Sequence, residues 1–156
     1  MAVGGTSLRG RPRILHACRM GRNINIITTK NQNTMTTQFN PQRQTYIKYD
    51  DSHYLLFLNE QAAEQEDEYA GKISGYNYTG TMPDGSTIIE ATGVTAENMR
   101  GKFIAGLIGI EYSKDDQIAL LANGEDTNEH AEELEKFRAV RAAAKKAVDE
   151  LLAREK

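Results

Sequence analysis

The sequence predicts an α+β fold, with a small antiparallel sheet of two hairpins followed by three helices, the last one long and amphipathic. Three observations predict it. Aromatic and β-branched residues concentrate between positions 45 and 92. Apolar residues at 3–4 spacing take over after Thr95. Ser or Thr followed by acids, and Gly after a helical run, punctuate the second half as helix starts and stops. The expected organisation is a leader over 1–34 and one domain over 35–156, mainly strands to 93 and helices from 94.

In the strand half, 45–49 (TYIKY) and 53–58 (HYLLFL) read as strands, with Asp50-Asp51-Ser52 as the turn between them. The acidic run 59–70 (NEQAAEQEDEYA) has no continuous apolar face and reads as a solvated linker or a short exposed helix. Lys72 to Thr81 and Ser86 to Thr92 form the best hairpin candidate, around Met82-Pro83-Asp84-Gly85, where Pro presets φ and Gly accepts the left-handed conformation.

In the helical half, Thr95 caps a predicted helix over 96–108. Its stripe is Met99, Phe103 and Leu107, widened by Ile104 and Ile108, and Gly109 ends it. Gly101 and Gly106 each cost roughly 1 kcal/mol against Ala and require a closely packed neighbour. A second helix starts at Ser113 in a Ser-x-x-Asp capping arrangement with Asp116 and stops at Asn123-Gly124. The last runs from about Thr127 to Arg154, with Leu134, Phe137, Arg141, Ala144, Val148 and Leu151 along one seam. At about three heptads, with alanines and a charge in it, that seam is marginal for a free coiled coil and suits packing on its own domain or on a partner.

Composition excludes several functions. The chain is 39% apolar without Trp, so its core is thin, and its one cysteine, Cys18, forms neither an internal disulfide nor a cysteine-rich zinc site. No apolar run approaches the ~20 residues that cross a membrane. The net charge of −3 is unevenly placed: residues 1–49 hold eight Lys/Arg and no acid, and from Met35 onward 13 bases face 22 acids. An acidic body disfavours nucleic acid. Three readings fit the basic leader: a mis-assigned start with Met35 as the true one, a disordered arm touching nucleic acid, and a mitochondrial transit peptide, opposed by its early Gly and Pro.

Motifs that could carry chemistry do not hold together. Asp115 to Asp126 has the length of an EF-hand loop, but Gln117 and Ala119 stand at ligand positions and Leu120 where glycine is required. Its acids read instead as signals for two helix N-termini. GTMPDGST over 80–87 lacks the phosphate-binding lysine and precedes a strand, so it reads as a turn. Asn77-Tyr78-Thr79 is a glycosylation sequon, and with no secretory signal expected it reads as a chance match. His16, His53 and His130 lack metal spacing, and Cys18 has no nearby acid to make it a nucleophile. Tyr46, Tyr49, Tyr54, Phe57, Tyr76 and Tyr78 stand among few bases, which favours packing and protein contact over base stacking. No catalytic, metal or cofactor-binding residue is assigned.

YNYTGTMPDGSTIIEA, RGKFIAGLIGIEYSKDDQIALLANG and EELEKFRAVRAAAKKAV together resemble small accessory proteins of tailed-phage and prophage structural modules. The helix, break and helix with closely spaced arginines is also similar in outline to tail-fibre assembly proteins, although no Trp precedes the Arg pair. The likeness covers residues 76–150 and carries over no catalytic residue. It implies a non-enzymatic tail-assembly or structural protein in a bacterial cytoplasm or a virion. Such a protein works by contact with a phage structural protein or a second copy, and Leu134, Phe137, Arg141, Ala144, Val148 and Leu151 are the candidate partner-binding residues. The alternatives are a nucleic-acid-associated protein using residues 1–34 and a small hydrolase with a diffuse acidic site.

Overall fold

The structure, a computed structural model, describes residues 34–155. The readings of residues 1–33 as leader, basic arm or transit peptide, and of His16 and Cys18, lie outside the described residues. Six strands and three helices follow in order: β1 (Thr36–Asn40), β2 (Tyr46–Lys48), β3 (His53–Leu56), β4 (Gln61–Asp67), β5 (Gly71–Gly80), β6 (Thr87–Glu90), α1 (Met99–Glu111), α2 (Lys114–Asn123) and α3 (Asn128–Ala153). This is the predicted α+β class with three helices, the last long, but the strands form two three-stranded antiparallel sheets. One has the order β1-β5-β4 and the other β2-β3-β6.

The second sheet carries the main core. β2 and β3 form the expected hairpin, with Tyr46 opposite Leu56 and Lys48 opposite Tyr54. β6 joins β3 with Tyr54 opposite Ile89. Alternation along these strands turns Tyr46, Tyr54, Leu56 and Ile89 toward the helices, where they meet Phe103, Ile108, Leu134, Phe137, Val148 and Leu151. The Phe103 ring sits 5.2 Å from both Tyr46 and Tyr54, and Tyr112 meets Phe137 edge-on at 5.2 Å. Arg100 of α1 holds Asp149 of α3 through two hydrogen bonds, 2.6 and 2.9 Å.

Two strand expectations need correction. The predicted hairpin of 72–81 with 86–92 does not form, because β5 pairs with β1 and β4 while β6 pairs with β3. Its turn is real: Gly85 N–H bonds Met82 O at 3.0 Å, and the Asp84 carboxylate accepts from the Ser86 N–H and hydroxyl. The turn passes the chain from one sheet to the other. The acidic run 59–70 is neither linker nor helix, since Gln61–Asp67 is β4. Glu, Gln and Ala favour helices, but the ladder with β5 overrides that weak preference. β1, for which no strand was expected, pairs with the second half of β5, and its Thr37 hydroxyl meets that of Thr79 at 2.8 Å.

In the helices, Thr95 starts a turn rather than capping α1, whose N-cap is Asn98. Gly109 does not end the helix, which continues to Glu111. Gly106 has the close neighbour its sequence position called for: a Cβ there would lie 2.8 Å from Glu90 O and 3.0 Å from Ile89. Gly101 faces open space.

Candidate interaction surfaces

Five of the six proposed partner-binding residues are core. Leu134, Phe137, Ala144, Val148 and Leu151 are buried against this chain's own strands and helices, and Val148 and Leu151 are wholly covered. Arg141, at the same 3–4 spacing, is exposed. The seam that suited either the domain or a partner packs on the domain, because α3 lies against α1 and α2 and shares one core with Leu56, Ile89 and Phe103. It is not a free docking stripe in this fold.

The stretch 113–130 resolves into caps. Ser113 and Asp116 form a reciprocal capping box at α2, Gly124 closes it with φ of 60°, and the Thr127 hydroxyl accepts from His130 N–H at the start of α3. The carboxyl of Asp116 is held below its ordinary value by the Ser113 hydroxyl and backbone. Asp126 bonds the His130 ring, which lowers the acid and raises the imidazole. Glu125 pairs with Arg138 at 2.8 Å. Among the described residues no group of three or more His, Cys, Asp or Glu could hold a metal ion.

The densest polar cluster is one that sequence reasoning missed. Glu60, following β3, takes three hydrogen bonds from Arg43 at 2.6 to 3.1 Å and one from the Tyr78 hydroxyl at 2.9 Å. Arg154, beyond α3, approaches the same carboxylate at 3.3 Å and donates to the carbonyls of Phe57 (2.6 Å) and Gln44 (3.2 Å). The Tyr78 oxygen accepts from Gln44 N–H at 2.8 Å. Burial pushes the Glu60 carboxyl up, and the Arg43 and Tyr78 hydrogen bonds with the two guanidinium charges outweigh it, leaving it below its ordinary value. Burial raises Tyr78, with the Glu60 carboxylate adding to it. No buried side-chain polar atom among the described residues lacks a partner, so the cluster is a clasp. It ties the end of α3 to the segment before β2, to the end of β3 and to β5, while Phe57 packs edge-on against Tyr78 at 5.3 Å. The signal in sequence was only the distance-blind presence of Arg43, Glu60, Tyr78 and Arg154; nothing local marks them as neighbours.

Two concave regions lie elsewhere. A groove of about 880 Å³ follows the outer edge of β6, between Ile88 and the face of α1 that bears Ala105, Gly106 and Gly109, and ends at Lys114 and Asp115. A depression of about 570 Å³ lies over Pro41, Ala62 and Tyr76. Exposed apolar side chains occur singly at Ile47 and Tyr49 and on the outward side of α1 and α2 at Ile110, Ile118 and Leu121.

The most extended surface is the outer half of the β4–β5 hairpin. β1 covers β5 only from Tyr76 to Gly80. Beyond that, Glu64 to Asp67 pair with Ser74 to Gly71 and with no third strand. On this ribbon only Ile73 is partly buried; every other residue from Glu64 to Ser74 is exposed. A bare two-stranded ribbon is marginal in water, and this one is pinned at its tip. Asp67 accepts from the N–H groups of Tyr69 (2.9 Å) and Ala70 (2.8 Å), which lowers its carboxyl, and Gly71 supplies the left-handed residue at φ of 74°. Lys72 stands opposite Glu66 and 3.8 Å from Glu64. The Tyr69 ring is 94% exposed at the tip.

No helix among the described residues is long and apolar enough to cross a membrane. Comparison with known proteins finds no match: no family model fits the chain, and no curated protein or solved structure is similar to it.

Proposed function

We propose that this chain is a non-enzymatic structural or tail-assembly accessory protein of tailed phages or prophages, acting by protein–protein contact in the host cytoplasm or in the virion. The observation that carries the contact reading is the ribbon over Glu64–Ser74, a two-stranded element without a third strand in which every residue but Ile73 is exposed. Supporting it, the charged groups with shifted titration serve the fold. The carboxylates are held low by caps, turns, arginines and, at Asp126, the His130 ring, and the most enclosed of them, Glu60, is held by the clasp. The phage assignment is supported by the resemblance of residues 76–150 to phage accessory proteins. Deleting the coding sequence from its native genome and imaging the induced particles tests it. The reading expects incomplete tails or fewer finished particles, and normal particles at normal yield would overturn it.

The nucleic-acid alternative rests on residues 1–34. It expects salt-dependent DNA binding that disappears when those residues are removed.

A further inference from the structure

Asn123-Gly124 is the only Asn-Gly pair in the chain, and it stands where α2 ends. The carboxamide of an asparagine can reach the backbone nitrogen of the next residue and close a five-membered ring. Two things oppose that closure. A side chain on the following residue crowds its nitrogen, and secondary structure ties up the N–H. Glycine removes the first obstacle. The second is weak here, because Gly124 is the C-cap and a single bond, its N–H to Leu120 O at 3.1 Å, holds the nitrogen. α2 has ten residues and buries none of them, with Ile118 65% and Leu121 62% exposed. A helix this short and this thinly packed opens readily at its end.

The other described asparagines are each blocked. Pro41, after Asn40, has no N–H to give up. The Asn59 carboxamide donates to Thr79 O at 3.1 Å and that of Asn98 to Gly93 O at 2.9 Å. Asn77 lies within β5 and is paired on both sides. Asn128 opens α3 and is followed by Glu129, whose side chain shields its nitrogen. The nearest analogue, Asp84-Gly85, has its carboxylate tied to the Ser86 N–H and hydroxyl and its glycine N–H bonded to Met82 O. Asn123 alone joins a following glycine to an exposed carboxamide with no hydrogen bond among the described residues.

We propose that Asn123 is a site of spontaneous covalent modification, converted by the chain's own backbone and water to aspartate and isoaspartate. When the last turn of α2 opens, the Gly124 nitrogen attacks Cγ of Asn123. The N–Cγ bond forms, the Cγ–Nδ2 bond breaks, and ammonia leaves with the proton given up by the Gly124 N–H. Water then opens the ring. Attack at Cγ leaves aspartate, and attack at the backbone carbonyl carbon leaves isoaspartate, whose main chain is one carbon longer. Either product sets a negative charge at a helix C-terminus that has no basic residue in its last turn and is followed by Glu125 and Asp126. Isoaspartate also displaces the Gly124 N–H from Leu120 O. The conversion loosens α2 and leaves α3, which starts at its own Thr127 cap, in place.

The test holds the folded full chain for days in warm, mildly alkaline buffer and follows intact mass and peptide maps, with fragmentation that separates aspartate from isoaspartate. The proposal expects a gain of about one mass unit, as amide NH2 becomes OH, placed at Asn123 before any other described asparagine changes. The gain is slower in mildly acidic buffer, where the Gly124 nitrogen gives up its proton less readily. In N123Q, whose longer side chain closes a less favourable ring, conversion at this position falls by about tenfold or more. Thermal unfolding establishes that N123Q is folded. The converted chain, separated by ion exchange, shows faster hydrogen–deuterium exchange over Lys114–Asn123 and unchanged exchange over Asn128–Ala153. Conversion in urea but none in the native chain would overturn the proposal, because the fold would then protect the site. So would earlier conversion at another described asparagine, or a mass gain in N123Q at the parent's rate. Unchanged exchange over α2 in the converted chain would overturn the loosening.

Discussion

Replacing Arg154 with Ala removes one guanidinium from a nearly dry site. Its side chain is 6% exposed and that of Glu60 13%. Two carbonyls, Phe57 O and Gln44 O, lose a charged donor, each such bond being worth ~1.5–3 kcal/mol. Stripping one member from a buried pair costs about 3–5 kcal/mol. Here Arg43 still neutralises Glu60 and water reaches part of the carboxylate, so the expected cost is ~2–4 kcal/mol. For a domain of this size that lowers the unfolding midpoint by roughly 10 °C. The assay is thermal and urea unfolding of the full chain by circular dichroism at pH 7. R154K should recover only part of the loss, because an ammonium cannot reach three acceptors in the fork geometry. R154A/E60Q should cost less than the sum of the single changes, as expected for residues in one network. The Glu60 carboxyl sits below its ordinary value of 4.5, so its share of stability is present above that pH and is lost as pH falls through the folded value. The gap between the parent protein and E60Q should therefore shrink in acid. A cost below about 0.5 kcal/mol for R154A, typical of a surface change, would refute the clasp.

The fully covered Leu151 and the exposed Arg141 separate core from surface on α3: Leu151→Ala should cost ~2–5 kcal/mol in urea unfolding, Arg141→Ala less than about 0.5. On α1, Gly101→Ala should stabilise by ~0.5–1 kcal/mol, while Gly106→Ala should destabilise by about 1–3 kcal/mol as its methyl meets Glu90 O and Ile89. At the α2–α3 junction, Asp126→Asn should bring the His130 titration back toward its ordinary 6.5, followed by NMR of the ring protons. The His130 contribution is present below that value and fades as pH rises through the higher folded value, and the Asp126 contribution fades as pH falls below about 3.8.

The helices were the most legible part of the fold, because their signals are local. Ser113 with Asp116, Gly124 and Thr127 mark ends within a few residues of the chain, and the α3 spacing marks its buried face. Sequence identified that face but not what covers it: the choice between own core and partner depends on β3, β6 and α1, which pack from far along the chain. The strands were read less well for the same reason. TTQFN and QAAEQED have no strand pattern of their own and become β1 and β4 only because β5 offers both its edges. The Met82–Gly85 turn was recognised, yet its strands diverge into separate sheets, since turn chemistry fixes a reversal and not the pairing beyond it. The ribbon and the clasp were illegible, one hidden in a run with helical propensities and the other assembled from positions 43, 60, 78 and 154.

Binding through the ribbon, with α3 kept as core, is most directly tested by hydrogen–deuterium exchange on the full chain, alone and in the complex purified from its native source. The account predicts new protection across residues 61–74 and unchanged exchange in Asn128–Ala153. New protection confined to α3, with the ribbon exchanging as in the free chain, would contradict it.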